Sequence, residues 1–190
     1  MGLTESKISD VPSLLYHDSL IDLFGDVKNE MGEDLINDQE KYDVIEKIEG
    51  NDFNNDPKEF LLSMLKSNRT EMLSEYTIDE LKDMELYKLD GYDIGYALKR
   101  HDNDIEEYNE IVSVFNNSGI KGIGDYLIKS AISNGGCYLD HYDGFLSQFY
   151  SKHGFEEYER YNFDPQYDPD GEFVKKYGEQ DVIFRKHRDC

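Results

Sequence analysis

The chain has 190 residues, of which 38 % are apolar and 13 % aromatic, and its formal net charge is −22. Its length suits one domain with an appended segment, and its apolar content excludes a globally disordered chain. The charge disfavours direct binding to DNA, RNA or membranes, because it repels phosphates and anionic lipids, and it is compatible with a basic partner or with solubility alone.

The N-terminal sequence lacks a basic segment followed by an apolar run, so we expect no signal peptide and a cytoplasmic protein. No apolar stretch reaches the length of a membrane-spanning helix. Two cysteines and the absence of a Cys/His cluster predict neither a disulfide framework nor a metal site. Cys137 is predicted to be a small buried residue and Cys190 a mobile terminus.

Residues 1–52 are predicted to form an acidic helical extension. The apolar residues that predict its two short amphipathic helices are Leu14, Leu15, Ile21, Leu23 and Phe24 for the first, and Ile36, Val44, Ile45 and Ile48 for the second. The polar stretch NDFNND (51–56) predicts a break. Asp56 and Pro57 are typical of the cap and first position of a helix.

The helix that follows Pro57 is predicted to bury one apolar stripe, formed by Phe60, Leu61, Met64 and Leu65. Thr77 and Glu80 have the spacing of a capping box, which predicts a second helix. From Met84 the apolar period changes to two residues, which predicts strands, and Asp90-Gly91 is typical of a hairpin turn between them.

The charged stretch HDNDIEEYNE (101–110) predicts a loop before the strand IVSVF. After that strand we expect a helix over about 120–133, a strand CYLDHY, a helix GFLSQFYSKH, a strand-like FEEYERYNF, an irregular excursion over 164–181 and a last strand at Val182–Phe184. This order predicts a mixed α/β fold, in which a central mixed sheet is flanked by helices.

Gly122-Ile123-Gly124 lies between a predicted strand and a predicted helix. Glycines there allow the backbone amides at a helix start to approach a phosphate, although the same residues also suit a plain tight turn. No Gly-Lys-Ser/Thr follows, which excludes a Walker A loop. Leu127 occupies the place of the third glycine of a dinucleotide fingerprint.

A second motif, FYSKHGF (149–155), ends a predicted helix and enters a strand. Gly154 is predicted to terminate that helix. Tyr150 carries a hydroxyl that suits proton donation, or it packs as an ordinary amphipathic helix residue.

Together these two motifs resemble the GNAT superfamily of N-acetyltransferases. The family's cofactor loop, Val-x-Pro-x-x-Arg/Gln-x-x-Gly-x-Gly/Ala, has the length of Val114–Gly124, and its later signature ends in Phe/Leu-Tyr-x-x-x-Gly-Phe, which 149–155 matches. The resemblance covers about residues 84–187. It implies a GNAT-like acyltransferase domain over 53–190 after the extension.

The chain departs from the family pattern at several positions. Gly119 stands where an Arg or Gln usually helps to hold the pyrophosphate, and Asp143 stands where an Asn usually contacts the pantetheine arm. Asn116 replaces a frequent Pro, and Leu146 replaces Ala. Lys121 lies inside the loop and is able to supply part of the missing positive charge.

The resemblance implies that acetyl-CoA lies between the strand of Val112–Phe115 and that of Cys137–His141, without a metal. Backbone groups near Val114 would align the pantetheine, and amides of the loop would hold the pyrophosphate. The cofactor-binding residues implied in this way are Val114, Phe115, Gly119, Lys121, Gly122, Gly124 and Asp125.

The resemblance also implies that Tyr150 protonates the leaving thiolate. Asp140 and His141, at a strand end, are candidates for the general base that deprotonates the acceptor amine. For each, an ordinary structural role remains open, since Asp140 suits a turn or cap and His141 suits local hydrogen bonding.

Two functions therefore remain in view. The first is an acetyl-CoA-dependent N-acetyltransferase acting on an amine-bearing small molecule or a basic protein. The second is a GNAT-fold protein without catalysis that serves as a binding or structural component. The stretch LDHYDGFLSQFYSKHGF is similar to chains of bacteriophage genomes, which would place the protein in host cytoplasm or virion. The acceptor and the oligomeric state are not predicted.

Overall fold

The computed structural model describes residues 33–66, 76–102 and 107–190. The chain divides into two units, residues 1–45 and 46–190, which are described separately. The described part of the first unit belongs to helix α1 (Glu33–Glu49), which confirms the second predicted N-terminal helix. The first predicted helix, Leu14 to Phe24, lies outside the described residues. The predicted domain boundary after residue 52 stays a prediction.

Residues 46–190 combine short helices with strands in alternation. The described helices are α2 (Pro57–Met64), α3 (Ile78–Lys82), α4 (Gly124–Ser133), α5 (Phe145–Lys152) and α6 (Glu172–Tyr177). The strands are β1 (Phe53–Asn54), β2 (Glu85–Leu89), β3 (Ile94–Asp102), β4 (Glu107–Asn116), β5 (Gly136–Tyr142), β6 (Phe155–Tyr161) and β7 (Val182–His187). None of the described helices is long and apolar enough to cross a membrane.

The described strands form one mixed sheet in the order β1-β2-β3-β4-β5-β7-β6. Neighbouring strands are antiparallel except β4 and β5, which run parallel. A parallel pair needs a crossover connection, and α4 supplies it between β4 and β5. This arrangement confirms the predicted mixed α/β fold, in which a central mixed sheet is flanked by helices.

One face of the sheet packs against α2 and α3. The Asp56 carboxylate accepts two backbone N–H groups of the first turn of α2, and Pro57 holds the first helical position. Thr77 and Glu80 form a reciprocal capping box at the start of α3, so both predicted caps are confirmed. The cluster that these helices bury against the sheet consists of Phe60, Met64, Leu81, Leu86, Ala97, Val112 and Phe115. The burial of Leu65 is not observed, because α2 ends at Met64 and Leu65 is 56 % exposed.

The opposite face packs against α4. Successive residues of a strand point to opposite faces, so Tyr96 faces away from the cluster that contains Ala97. The Tyr96 hydroxyl lies 2.9 Å from Ser130 Oγ of α4, and Asn134 Nδ2 donates to the same hydroxyl at 2.9 Å. The C-terminal end of α4 is therefore held against β3.

Two stretches that the sequence predicted as irregular are strands. Phe53, in the predicted polar break, pairs with Leu89 and packs edge-on against the ring of Tyr96. In the predicted charged loop, β3 continues to Asp102 and β4 begins at Glu107, and these two residues pair. Both corrections have one cause. The pairing partner lies elsewhere in the chain, and charged residues are tolerated on the exposed parts of strands.

A disulfide joins Cys137 of β5 to Cys190, 53 residues later. The predictions of a simple buried Cys137 and a mobile Cys190 are therefore wrong. The physical reason is the antiparallel pairing of β5 with β7, which places Lys186 opposite Tyr138 and so brings the end of β7 to the beginning of β5. Cys190 also donates its backbone N–H to the carbonyl of His187 at 3.1 Å.

Loss of this disulfide is expected to lower the free energy of unfolding by about 2–4 kcal/mol, because a cross-link over a long loop restricts the unfolded chain. Urea or thermal unfolding of the oxidised wild type, the reduced wild type and Cys190→Ser measures the effect. Reductant should destabilise the wild type and leave Cys190→Ser unchanged. Free thiols in the oxidised wild type, or an equal effect of reductant on both proteins, would contradict the bond.

Candidate functional site

The parallel strands β4 and β5 pair over a short stretch and then diverge. Their register joins Asn109 to Gly136 and Glu110 to Tyr138, with an irregularity between the two pairs. Beyond that point β4 continues along β3 as far as Asn116, and β5 continues along β7. Backbone N–H and C=O groups on the two facing edges are thus not paired with each other. They suit a ligand that enters between the strands, which is the divergence that the resemblance implies.

A β-bulge lies in the diverging part of β4. Where β3 advances two residues, from Gly95 to Ala97, β4 advances three, so Ser113 and Val114 stand opposite a single residue of β3. Ser113 has a φ of +52°, which is uncommon for a residue other than glycine. Ser113 is 8 % exposed, and its Oγ is buried without a hydrogen-bond partner among the described residues.

The loop after β4 is held by its own hydrogen bonds. Asn116 Oδ1 accepts the Ser118 N–H at 3.2 Å and the Ser118 hydroxyl at 2.7 Å, and Asn116 Nδ2 donates to the Ile120 carbonyl at 2.7 Å. Gly119 and Gly122 have φ values of +82° and +78°, which glycine adopts without strain. These contacts shape the loop without the family's proline, and they explain a glycine at position 119.

The N-terminus of α4 follows this glycine turn. At the N-cap position, Ile123 makes no side-chain cap hydrogen bond. The first amides of the helix and the positive end of its macrodipole are then open to an anion. Lys121 is exposed in the same loop and adds a positive charge. This combination suits a phosphate group.

Gly124 and Asp125 connect the start of α4 to α5. A Cβ at Gly124 would lie 3.3 Å from Cζ of Phe149, so the glycine permits a close approach of α5. The Asp125 carboxylate contacts Lys152 Nζ and His153 Nε2, each at 2.6 Å. Burial raises the pKa of Asp125, but the hydrogen bonds from Lys152 and His153 outweigh it and hold that pKa below its usual value. The negative charge at the helix start is thus compensated.

Asp143, which stands where the family usually has Asn, lies just before α5 and is held by hydrogen bonds there. Its Oδ1 accepts the Ser147 hydroxyl at 2.6 Å and the Gly144 N–H at 2.7 Å, and its Oδ2 accepts Arg160 Nη1 at 2.8 Å. These hydrogen bonds hold the pKa of Asp143 far below its usual range. The carboxylate therefore has a structural role, and Arg160 offsets its charge.

Two carboxyl groups meet where β4 and β5 part. Burial raises the pKa of Asp140, and the charge and hydrogen bonding of the neighbouring Glu110 raise it further, while Lys99 acts in the opposite direction. Glu110 also lies 2.8 Å from His101 Nε2. Asp140 retains solvent exposure despite these neighbours. It is therefore a reachable carboxylate that is more basic than an isolated aspartate.

Glu110 and His101 were not predicted as site residues, because the charged stretch 101–110 predicts a loop. The register of β3 with β4 sets His101 opposite Tyr108, and the two rings stack with centroids 4.9 Å apart. A signal was present in the alternation of Tyr108, Glu110 and Val112, which has the period of a strand.

The two predicted base candidates differ in their surroundings. Arg185 Nε donates to His141 Nε2 at 2.8 Å, so the other ring nitrogen, Nδ1, carries the hydrogen and donates it to the Tyr142 carbonyl at 2.7 Å. Burial lowers the pKa of His141, and the Arg185 charge lowers it further. His141 is thus a neutral, hydrogen-bonded side chain with no nitrogen left to accept a proton, and Asp140 is the candidate base that the structure leaves accessible.

Tyr150 lies in α5 and is 7 % exposed. Its ring centroid is 5.1 Å from that of His141 and 5.3 Å from that of Phe149. Burial raises the pKa of Tyr150 far above its usual value, and the charge of Asp140 raises it further. The phenol therefore keeps its proton near neutral pH, within the electrostatic influence of the candidate base.

The diverging edges of β4 and β5, together with the loop and helix start that follow β4, are called the gap below. Its residues fit the groups of a coenzyme A thioester, the cofactor that the GNAT resemblance implies. Facing strand edges suit the amides of a pantetheine arm, and the uncapped helix start with Lys121 suits a diphosphate. The side chains of Val114 and Phe115 are largely enclosed, Phe115 against the ring of Phe60, so these two residues would contribute backbone groups.

No family model matches the chain, and no curated protein matches it. Among solved structures, N-acetylglutamate synthase from Neisseria gonorrhoeae complexed with coenzyme A and N-acetyl-glutamate is 12 % identical, with a TM-score of 0.38 over 69 % of this chain and 33 % of that one. The same enzyme with coenzyme A and L-arginine is 14 % identical, with a TM-score of 0.38 over 70 % and 31 %. The chain thus spans about a third of these proteins, and a likeness of this size assigns it no activity.

The raised pKa of Asp140 predicts that Asp140→Asn stabilises the protein at pH 7. In the folded protein the pKa of this carboxyl exceeds its unfolded value of 3.8. Its ionisation therefore lowers the free energy of unfolding once the pH has risen through the folded pKa, and this loss is absent below the unfolded value. The gain from the substitution should therefore shrink as the pH falls below about 4. Urea unfolding at both pH values measures it.

Glu179→Gln, on an exposed loop residue, is the matched control, since it removes one negative charge from the same acidic chain. A gain in stability of equal size for both variants would attribute the effect to net charge and contradict the local explanation.

Proposed function

We propose that this chain is an acetyl-CoA-dependent N-acetyltransferase that acylates an amine by direct attack. The observation that carries the proposal is the divergence of β4 from β5 beside the glycine-led, uncapped start of α4. An extended thioester with a diphosphate needs these two features side by side, namely free strand edges for its amides and a helix start for its phosphates.

The residues of the loop and β4 would hold the cofactor. Backbone groups of Val114 and Phe115 would bind the pantetheine arm along the edge of β4. The amides of Gly119, Gly122, Gly124 and Asp125 would hold the diphosphate, and Lys121 would supply a positive charge. Acetyl-CoA would supply an acetyl group activated as a thioester.

Asp140 would act as the general base. Its raised pKa brings it closer to that of a base that works near neutral pH, and it remains exposed at the gap. Its carboxylate would accept the proton that the acceptor amine loses as the nitrogen bonds to the acetyl carbon. Glu110, which contacts His101, raises the pKa of Asp140 through its negative charge.

Tyr150 would act as the general acid. Its phenol stays protonated at neutral pH because burial and the charge of Asp140 raise its pKa. It would give this proton to the sulfur that leaves, and so prevent a free thiolate from reversing the reaction. The net negative charge of −22 favours a cationic acceptor, either an amine-bearing small molecule or a basic protein.

A second candidate function is a GNAT-fold protein that binds a basic partner without catalysis. The observation that favours it is the cluster around Arg160, where one guanidinium pairs with Asp143, Glu157 and Asp181. That local excess of carboxylates, close to the start of α5, is more hospitable to cations than to a polyanionic cofactor. Such a protein would bind polylysine in a salt-sensitive manner that Tyr150→Phe leaves unchanged, and it would not bind acetyl-CoA.

Calorimetry with acetyl-CoA and an acetylation assay on a panel of amines test the proposed enzyme. Tyr150→Phe is expected to bind acetyl-CoA as the wild type does and to lose about 100-fold or more in turnover, because only proton transfer is removed. Asp140→Asn should lose turnover similarly, with a pH profile that no longer rises through the titration of the base.

Tyr161→Phe is the matched control, since it removes the hydroxyl of an exposed tyrosine on β6. Its turnover should equal that of the wild type. No binding by the wild type at millimolar acetyl-CoA would sink the proposal and favour the second candidate.

A further inference from the structure

The disulfide between Cys137 and Cys190 has one side that faces solvent. Cys190 is exposed, whereas Cys137 is only partly exposed in β5. The antiparallel register that sets Tyr138 opposite Lys186 also sets Cys137 opposite His187, a residue that is 8 % exposed. The rate of thiol–disulfide exchange depends on access to the sulfur that is attacked. Because Cys190 is the outer residue, a thiolate that comes from solvent reaches its sulfur first.

The sheet does not depend on this bond to hold its strands together. Residues Tyr138–Tyr142 of β5 pair with β7, and β6 pairs with β7 on the other side. Both cysteines lie outside these pairs. Disulfides that replace a hydrophobic core are typical of small secreted domains, whereas this chain buries a cluster of apolar residues between α2, α3 and the sheet. We therefore expect the sheet to stay folded when the bond opens.

Backbone hydrogen bonds keep the two sulfur atoms near each other without the bond. The Arg188 N–H donates to the Gly154 carbonyl at 3.0 Å, and the Cys190 N–H donates to the His187 carbonyl at 3.1 Å. These contacts hold the chain after β7 in place independently of the sulfur atoms. Closure of the bond is then an intramolecular reaction with a high effective concentration of the second thiol. The pair is thus able to open and close in the folded protein.

We propose that Cys137 and Cys190 form an exchange site for a small thiol such as glutathione, and that Cys190 is the residue modified. The glutathione thiolate bonds to Cys190 Sγ, the bond between the two cysteines breaks, and Cys137 leaves as a thiolate that takes a proton from water. A second glutathione thiolate attacks the mixed disulfide, which releases glutathione disulfide and a Cys190 thiolate that is protonated in turn. The protein gains two electrons and two protons, and two glutathione molecules are oxidised to one disulfide.

Mass spectrometry of the folded wild type in millimolar glutathione tests the site. Samples taken over time are quenched with N-ethylmaleimide, which labels free thiols. Early samples should carry glutathione on Cys190 and N-ethylmaleimide on Cys137, and late samples should carry N-ethylmaleimide on both. The circular dichroism of the reduced protein should match that of the oxidised protein. Glutathione disulfide should then restore the bond in the reduced protein.

Cys137→Ser and Cys190→Ser are matched variants, since each leaves one of the two sulfur atoms. Glutathione disulfide should modify Cys190 of the first about 10-fold or more faster than Cys137 of the second, because access to the sulfur limits exchange. In denaturing urea both cysteines are exposed, and the two rates should agree within about 3-fold. The double variant should take up no glutathione.

Several outcomes overturn the inference. They are a bond that glutathione opens only in denaturing urea, a mixed disulfide on Cys137 instead of Cys190, equal rates for the two folded variants, and a reduced protein in which glutathione disulfide does not restore the bond. None of these measurements uses acetyl-CoA. Their failure therefore leaves the proposed function standing, and a wild type that does not bind acetyl-CoA leaves this inference standing.

Discussion

The short parallel contact between β4 and β5 is the constraint on which the rest of the site depends. It joins a part of the sheet that carries α2 and α3, from β1 to β4, to a part formed by β5, β7 and β6, which packs against α5. Because the two strands pair at only two positions and then part, each half keeps its own ladder intact while the edges between them stay unpaired. The bulge at Ser113 increases the local twist of β4 and bends it away from its neighbour.

Local charge pairing makes such a gap usable by an anion in a chain of net charge −22. Asp125, at the helix start, is matched by Lys152 and His153, whereas Arg160 is shared by Asp143, Glu157 and Asp181. At the other end of the gap, Asp140 meets Glu110, and burial together with that second carboxyl group raises the pKa of Asp140. One end of the gap, where the carboxylate of Asp125 is paired, therefore suits phosphates. The other end carries a carboxyl group that accepts a proton more readily than an isolated aspartate does. The net charge of the chain describes neither end of the gap.

The part of the site that could be predicted from sequence is the part that is contiguous in the chain. The turn at Gly122 was predicted because glycine allows the positive φ that this residue adopts. Tyr150 was named because residues 149–155 resemble the GNAT signature, and its role stays a prediction. Glu110 and His101 were missed because a charged stretch does not indicate a strand until its partner is known. His141 and Asp140 are adjacent in sequence and looked equivalent. They point to opposite faces of β5, and contact with Arg185 occupies only His141.

The sequence by itself determined the order and type of most elements, the two helix caps and the glycine turn, since each depends on interactions within a few residues. The tertiary structure decided the strand register and, with it, the meeting of Glu110 with Asp140 and of Cys137 with Cys190. These contacts join residues 30 to 53 positions apart, and a shift of one residue would turn every side chain to the other face. Ser113 illustrates both levels. Its place in a strand follows from local pattern, whereas its positive φ and its place in a bulge depend on the pairing of β4 with β3.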